Sequence, residues 1–190
     1  MKKLFIMAIA ASVAFTACLK NDPADINAGA VGVKIAFDEP ILAPSVKSTE
    51  GYTTITPGTD ELRVWGFLTA DELAATGLDA DVVADSKYID CATVSWKQTG
   101  TDSEDNPVGQ WDAGAYYWPQ NGYITFLGYL PATPSSGTFS VTEEGLQIDD
   151  YTTDGDEDLL VSEIVYDMTK AKAFNTNGGD VQTSFKHALS

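Results

Sequence analysis

QWDAGAYYWPQNGYITFLGYLP, residues 110–131, decides the fold class of this chain. Asn121-Gly122 is a strong turn signal between two strand-like segments, YYWP and YITFLGYL. Gly128 interrupts the second segment, and a glycine inside a strand marks a bulge or a close backbone approach. Trp111, Tyr116, Tyr117, Trp118 and Tyr123 are rings of the kind that dominate core burial. Exposed, the same rings would stack on sugars; the core role fits better.

Outward from this stretch the pattern stays β. Upstream, VGVKIAF (31–37) alternates Val31, Val33, Ile35 and Phe37 with Gly32, Lys34 and Ala36, the period-two signature of a half-buried strand. Pro40 and Pro44 read as its end, and residues 45–60 as a long Ser/Thr/Gly-rich connection. ELRVWGFL and YIDCATVSW read as strands, and TGTDSEDNPVG as an acidic loop. DELAATGL reads as two helical turns capped by Asp71 and stopped at Gly77. Downstream come TFSVTEEG, LQIDDY, DLLVSEIVYDM and, after an Asn/Gly turn, VQTSFKHALS. About nine short strands and no long amphipathic helix predict an all-β sandwich.

The start of the chain has a different character. Lys2 and Lys3 precede an apolar run from Leu4 to Phe15, then Thr16, Ala17 and Cys18. That is the layout of a secretory signal, and the run is shorter than the roughly 20 residues that a membrane span requires. Residues 1–17 are therefore expected to be a signal peptide and 18–30 a polar tether, with a domain over 31–190. Without the leader, nine basic residues face 28 acids, a net charge of −19. Such a surface repels nucleic acid and anionic headgroups.

No residue pattern supports catalysis. Cys91 has no disulfide partner in the mature chain and sits in a strand pattern, where a small buried hydrophobe is its expected role. His187 has no partner at ligand spacing. Asp154, Asp156 and Asp158 begin like a calcium loop, but Leu159 and Val165 stand where Gly and Glu are needed. Neither a phosphate loop nor a nucleophile elbow is present. The expectation is a non-enzyme with no cofactor and no metal.

Phe15-Thr16-Ala17-Cys18 resembles a bacterial lipobox, which would make Cys18 the lipid-bearing residue, and Lys20-Asn21-Asp22 is similar to the surface-export signal of lipoproteins from the Bacteroidetes. Acyl chains contribute about 0.8 kcal/mol per buried methylene, and stable anchoring takes more than one chain. Taken with VKIAF, VWGF, YYWP–YITFLGYLPA, DEDLLVS and VQTSFKHALS, the order of segments resembles the fimbrillin family of the Bacteroidetes: fimbrial subunits and their anchor lipoproteins. The resemblance implies a transthyretin-like Greek-key β-sandwich, the N-terminal one of two domains, with the second lying beyond Ser190. It also implies an outer-membrane, cell-surface lipoprotein that partners other fimbrial subunits, for adhesion. In polymerising members a cut near the N-terminus frees the first strand, and a neighbour's strand fills the groove. Lys47, followed by Ser48, is the only basic residue in the loop after VGVKIAF and is the expected cut. The sole arginine, Arg63, lies within a strand pattern.

Burying Val31, Val33, Ile35 and Phe37 at ~1.5–3 kcal/mol each amounts to roughly 6–12 kcal/mol, against a domain stability of about 5–15 kcal/mol. Loss of that strand would therefore leave a subunit in need of another. The alternative expectation is an uncleaved, lipid-anchored anchor or tip protein, glycan-binding through the aromatic cluster.

Overall fold

The computed structural model describes residues 32–42, 55–152 and 158–187. The strands in chain order are β1 (Lys34–Phe37), β2 (Ile41–Leu42), β3 (Glu61–Thr69), β4 (Lys87–Thr101), β5 (Pro107–Tyr117) and β6 (Tyr123–Leu130). They continue with β7 (Thr138–Thr142), β8 (Gly145–Asp149), β9 (Leu160–Ser162), β10 (Val165–Met168) and β11 (Ser184–His187). Two short helices, α1 (Ala80–Asp85) and α2 (Lys170–Asn177), complete the described residues. The chain is all-β, as its alternation predicts.

One large sheet carries the fold, in the order β1-β5-β4-β3-β6-β9-β11-β2, with β10 also paired to β6. It curls until its two ends meet. Alternation along its strands sorts side chains to two faces. Leu62 and Val64 of β3, Ile124, Phe126 and Leu130 of β6, Trp111 of β5 and Phe185 of β11 point into the curl and form the main core. Trp65 and Phe67 of β3 and Leu127 and Tyr129 of β6 point outward, into a second cluster. That outer face is covered by the β7–β8 hairpin, through Phe139, Val141, Leu146 and Ile148, and by Val82 and Val83 of α1. Tyr129 stacks on Phe139 with ring centroids 4.3 Å apart. A strand covered on both faces needs apolar residues on both, which is why YITFLGYL shows almost no polar alternation.

Several local readings change. The Asn121-Gly122 turn exists, with Gly122 at φ 89°, but it joins no hairpin. β5 pairs with β4 and β1, whereas β6 pairs with β3, β9 and β10. The turn is a crossover between opposite sides of the curl. Gly128 is a close approach, because a Cβ there would collide with the Arg63 carbonyl oxygen of β3. The Gly128 N–H is bonded at 2.7 Å by Ser162 Oγ. That side-chain bond lies next to the interruption that splits DLLVSEIVYDM into β9 and β10.

DELAATGL is not helical. Asp167 takes the N–H groups of Leu73 and Ala74 at 2.6 and 2.8 Å, Leu73 and Leu78 bury in the outer cluster, and Gly77 adopts φ 77°. The helix begins later, capped by Asp79 Oδ1 on Val82 N at 2.8 Å. TGTDSEDNPVG is mostly ladder: β4 and β5 pair out to Thr101 and Pro107. Asp102 Oδ1 closes the short connection, accepting from Glu104 N and Asn106 N. α2 was not foreseen, though Thr169 caps it and Gly178 ends it at φ 66°, ordinary start and stop signals.

Candidate functional site

The candidate site is the seam where the sheet closes. On one side β1 pairs antiparallel with β5, Lys34 opposite Tyr117, Ala36 opposite Asp112 and Phe37 opposite Trp111. On the other side Val181 N donates to Ala36 O at 2.9 Å, and Asp38 N donates to Val181 O at 3.0 Å. After Pro40 the chain resumes as β2, which runs parallel to β11 with Ile41 opposite Ser184 and Leu42 opposite Phe185. Ile41 N donates to Thr183 O at 3.0 Å. Pro40 therefore marks a step between strands, not the end of the strand region. Nine residues, 34–42, join both ends of the sheet.

The side chains of this segment are graded. Ile35 and Phe37 are fully buried, and Phe37 meets Phe126 edge to face at 5.5 Å. Ala36 is buried as well, so the alternation breaks where β1 has neighbours on both edges. Val33 is only partly buried against the main core. Lys34 reaches Asp112 Oδ2 at 2.6 Å with both groups partly exposed. Val31, Lys47, Ser48 and Cys18 lie outside the described residues, as do Asp154 and Asp156.

Beside the seam, burial raises the Asp180 carboxyl above its ordinary range, and the neighbouring Asp38 charge adds to the shift. Two carboxylates thus crowd the point where Val181 grips the first strand. Sequence reasoning missed this half of the site. GGDVQT reads as a turn leading into a strand, and nothing local says that Val181 will meet Phe37.

The remaining sequence candidates sit elsewhere. Trp111 and Trp118 are buried in the main core, so their faces are not open for stacking on sugars. Tyr116, Tyr117 and Tyr123 are half-buried. Cys91 lies in the irregular stretch of β4 at φ 51° and packs against the outer cluster. Burial pushes its thiol up, the Arg63 charge only partly offsetting this, the opposite of an activated nucleophile. Arg63 is held in β3, donating to Ala132 O at 3.1 Å and Cys91 O at 3.0 Å. His187 is in β11, opposite Leu160. Among the described residues no cluster of His, Cys, Asp or Glu could hold a metal ion, and no helix is long and apolar enough to cross a membrane.

The chain matches no known family profile, no curated protein and no solved structure.

Proposed function

We propose that this protein is a non-enzymatic, surface-exposed fimbrial subunit precursor, exported as a lipoprotein on Cys18 and built on a transthyretin-like Greek-key sandwich. It assembles by strand exchange at the seam, for adhesion. The observation that carries the reading is the seam: a segment near the start of the described chain supplies the closing strand and two fully buried side chains, Ile35 and Phe37. Those two contribute roughly 3–6 kcal/mol, an upper figure. Together with backbone bonds worth about 1 kcal/mol each, this is a large share of a domain's stability. A cut at Lys47-Ser48 followed by departure of the strand would expose an apolar slot with free ladder groups on two sides. An incoming strand satisfies both.

The test is limited trypsin treatment followed by unheated SDS electrophoresis. Ladders that appear only after a cut at Lys47 support exchange. Protein recovered from the cell surface and beginning at Cys18, not Ser48, would refute the cleavage.

The same seam favours a second reading. Because β1 is bonded on both edges, its departure breaks two ladders instead of one, which suits an anchor or tip protein that keeps its N-terminal segment. Surface protein that retains residues 18–47 while remaining bound to fimbriae would establish that role.

A further inference from the structure

We propose that the end of β5, at residues 108–110, is a docking edge for an extended, basic segment of a partner protein, which pairs there as a strand in line with β1. The first strand stays in place throughout, so the inference does not rest on its exchange.

The edge is open because a lane of the sheet ends early. β5 pairs with β4 from Asp112 out to Pro107, but β1 covers its other edge only from Tyr117 to Trp111. Among the described residues nothing pairs with residues 107–110 from that side. The first strand turns out of the lane at Glu39, whose N–H donates to Asp38 Oδ1 at 2.8 Å and whose carbonyl accepts from Gln182 Nε2 at 3.0 Å. Alternate residues of an antiparallel strand turn their backbone groups to opposite edges. Thr99 Oγ1 donates to Val108 O at 3.3 Å, so Val108 faces β4, and the Gly109 N–H and C=O face the empty lane. They form the next rung after the Phe37–Trp111 pair. A Cβ at Gly109 would collide with the Lys97 carbonyl oxygen and the Trp96 ring; with no side chain there, another backbone can come close.

Beside this rung lies a hollow of about 500 Å³, within the usual range of binding sites. Phe37, Trp96 and Val108 are among its apolar lining residues, Glu39 and Asp180 among its charged ones, and its described lining includes no lysine or arginine. Val108 is 44% exposed and offers an apolar cross-strand contact. Burial, and after it the Asp38 charge, raises the Asp180 carboxyl above its ordinary range. Like charges are crowded here, and a cation brought among them relieves the repulsion.

Charge selects the occupant. An exposed strand edge is a template for any other strand, and proteins guard such edges with proline and charged side chains. Pro107 and the acids of the hollow are the guards here. They turn away a second copy of this chain, whose net charge is −17, and favour an extended segment that carries lysine or arginine. Its backbone meets Gly109, its methylene stems lie along the apolar lining, and its charge reaches Glu39 and Asp180. A polycation without a peptide backbone would use the carboxylates but not the rung.

The experiment titrates the isotope-labelled intact chain with a short blocked peptide of alternating lysine and threonine, its glutamate counterpart, its fully N-methylated form and spermidine, following amide resonances. The lysine peptide should bind saturably, shift the Gly109 amide and slow its hydrogen exchange, and bind about tenfold or more tighter than the glutamate peptide. N-methylation should abolish the Gly109 effects, because it removes the backbone donors that strand addition uses. Glu39→Gln combined with Asp180→Asn should weaken binding about threefold or more. Glu144→Gln, in the groove between β8 and β9–β10, should leave it unchanged; circular dichroism checks that each variant folds. The proposal is overturned by the same Gly109 shift with spermidine or the N-methylated peptide, which marks plain charge attraction. Equal binding of the glutamate peptide, undiminished binding by the double variant, or no saturation overturns it too. So does Gly109 protection that grows with protein concentration alone, the mark of a second copy.

Discussion

Phe37→Ala tests the seam most directly. Phe37 is 1% exposed, stands opposite Trp111 in β5, bridges to Val181 and meets the Phe126 ring at 5.5 Å. Truncating a buried Phe removes its transfer free energy and leaves a cavity, together costing about 3–5 kcal/mol. The neighbouring Lys34 gives an internal control. Its ion pair with Asp112 is 2.6 Å long, but the lysine is 38% exposed, so Lys34→Ala should cost about 0.2–1 kcal/mol. Urea denaturation of the two variants gives the comparison, the midpoint shifting at constant slope if only stability has changed. Once a cut at Lys47 has released the variant strand, an added VGVKIAF peptide should stabilise the remaining chain by about 2.7 kcal/mol when the free peptide reaches a hundredfold of its dissociation constant. If Phe37→Ala costs no more than Lys34→Ala, the first strand is not an energetic closure, and the strand-exchange reading loses its basis.

Four other outcomes follow from the structure. Asp167→Ala should destabilise by about 2–3 kcal/mol, since it strands the N–H groups of Leu73 and Ala74; faster amide exchange at those two residues localises the loss. Asp180→Asn should raise the melting temperature at neutral pH, because burial and Asp38 raise the Asp180 pKa in the folded state and folding there opposes ionisation. The deficit of the native chain is complete above the folded-state pKa, shrinks as pH falls through it and vanishes below the unfolded-state value; a gain that persists unchanged into acid refutes the assignment. Tyr129, its pKa pushed up to about 12 chiefly by burial and then by Cys91, should be among the last tyrosines to ionise in an ultraviolet titration. Cys91 should react slowly with a disulfide reagent at mildly alkaline pH, and much faster in urea.

The sequence and the structure part company at identifiable places. Gly128 was legible as a close approach because a glycine inside an apolar strand has few other uses, and the Arg63 carbonyl is what it approaches. Trp111 and Trp118 were legible as core by size. DELAATGL was misread because the competitor for its backbone N–H groups, Asp167, lies 94 residues away from Leu73. TGTDSEDNPVG looked like loop by composition, yet a two-stranded ladder needs only backbone groups and a short turn, and Asp102 and Asn106 supply the turn. At the seam, Ile35 and Phe37 were visible as inward residues, but Val181 and Thr183, which grip the same segment from the other side, carry no local mark.

By itself, the order of residues determined that this chain is β-rich, where most of its strands and turns fall, and which large side chains face inward. These follow from period-two alternation, turn chemistry and side-chain size, all properties of a few neighbouring residues. The pairing was decided only in three dimensions: that β5 and β6 cross the curl instead of forming a hairpin, that a hairpin and a short helix cover the outer face of β3 and β6, and that residues 34–42 close both ends of the sheet. Backbone hydrogen bonds are chemically the same at every position, so a strand's partner is set by which distant segments can bury their apolar faces together, and that is a property of the complete fold.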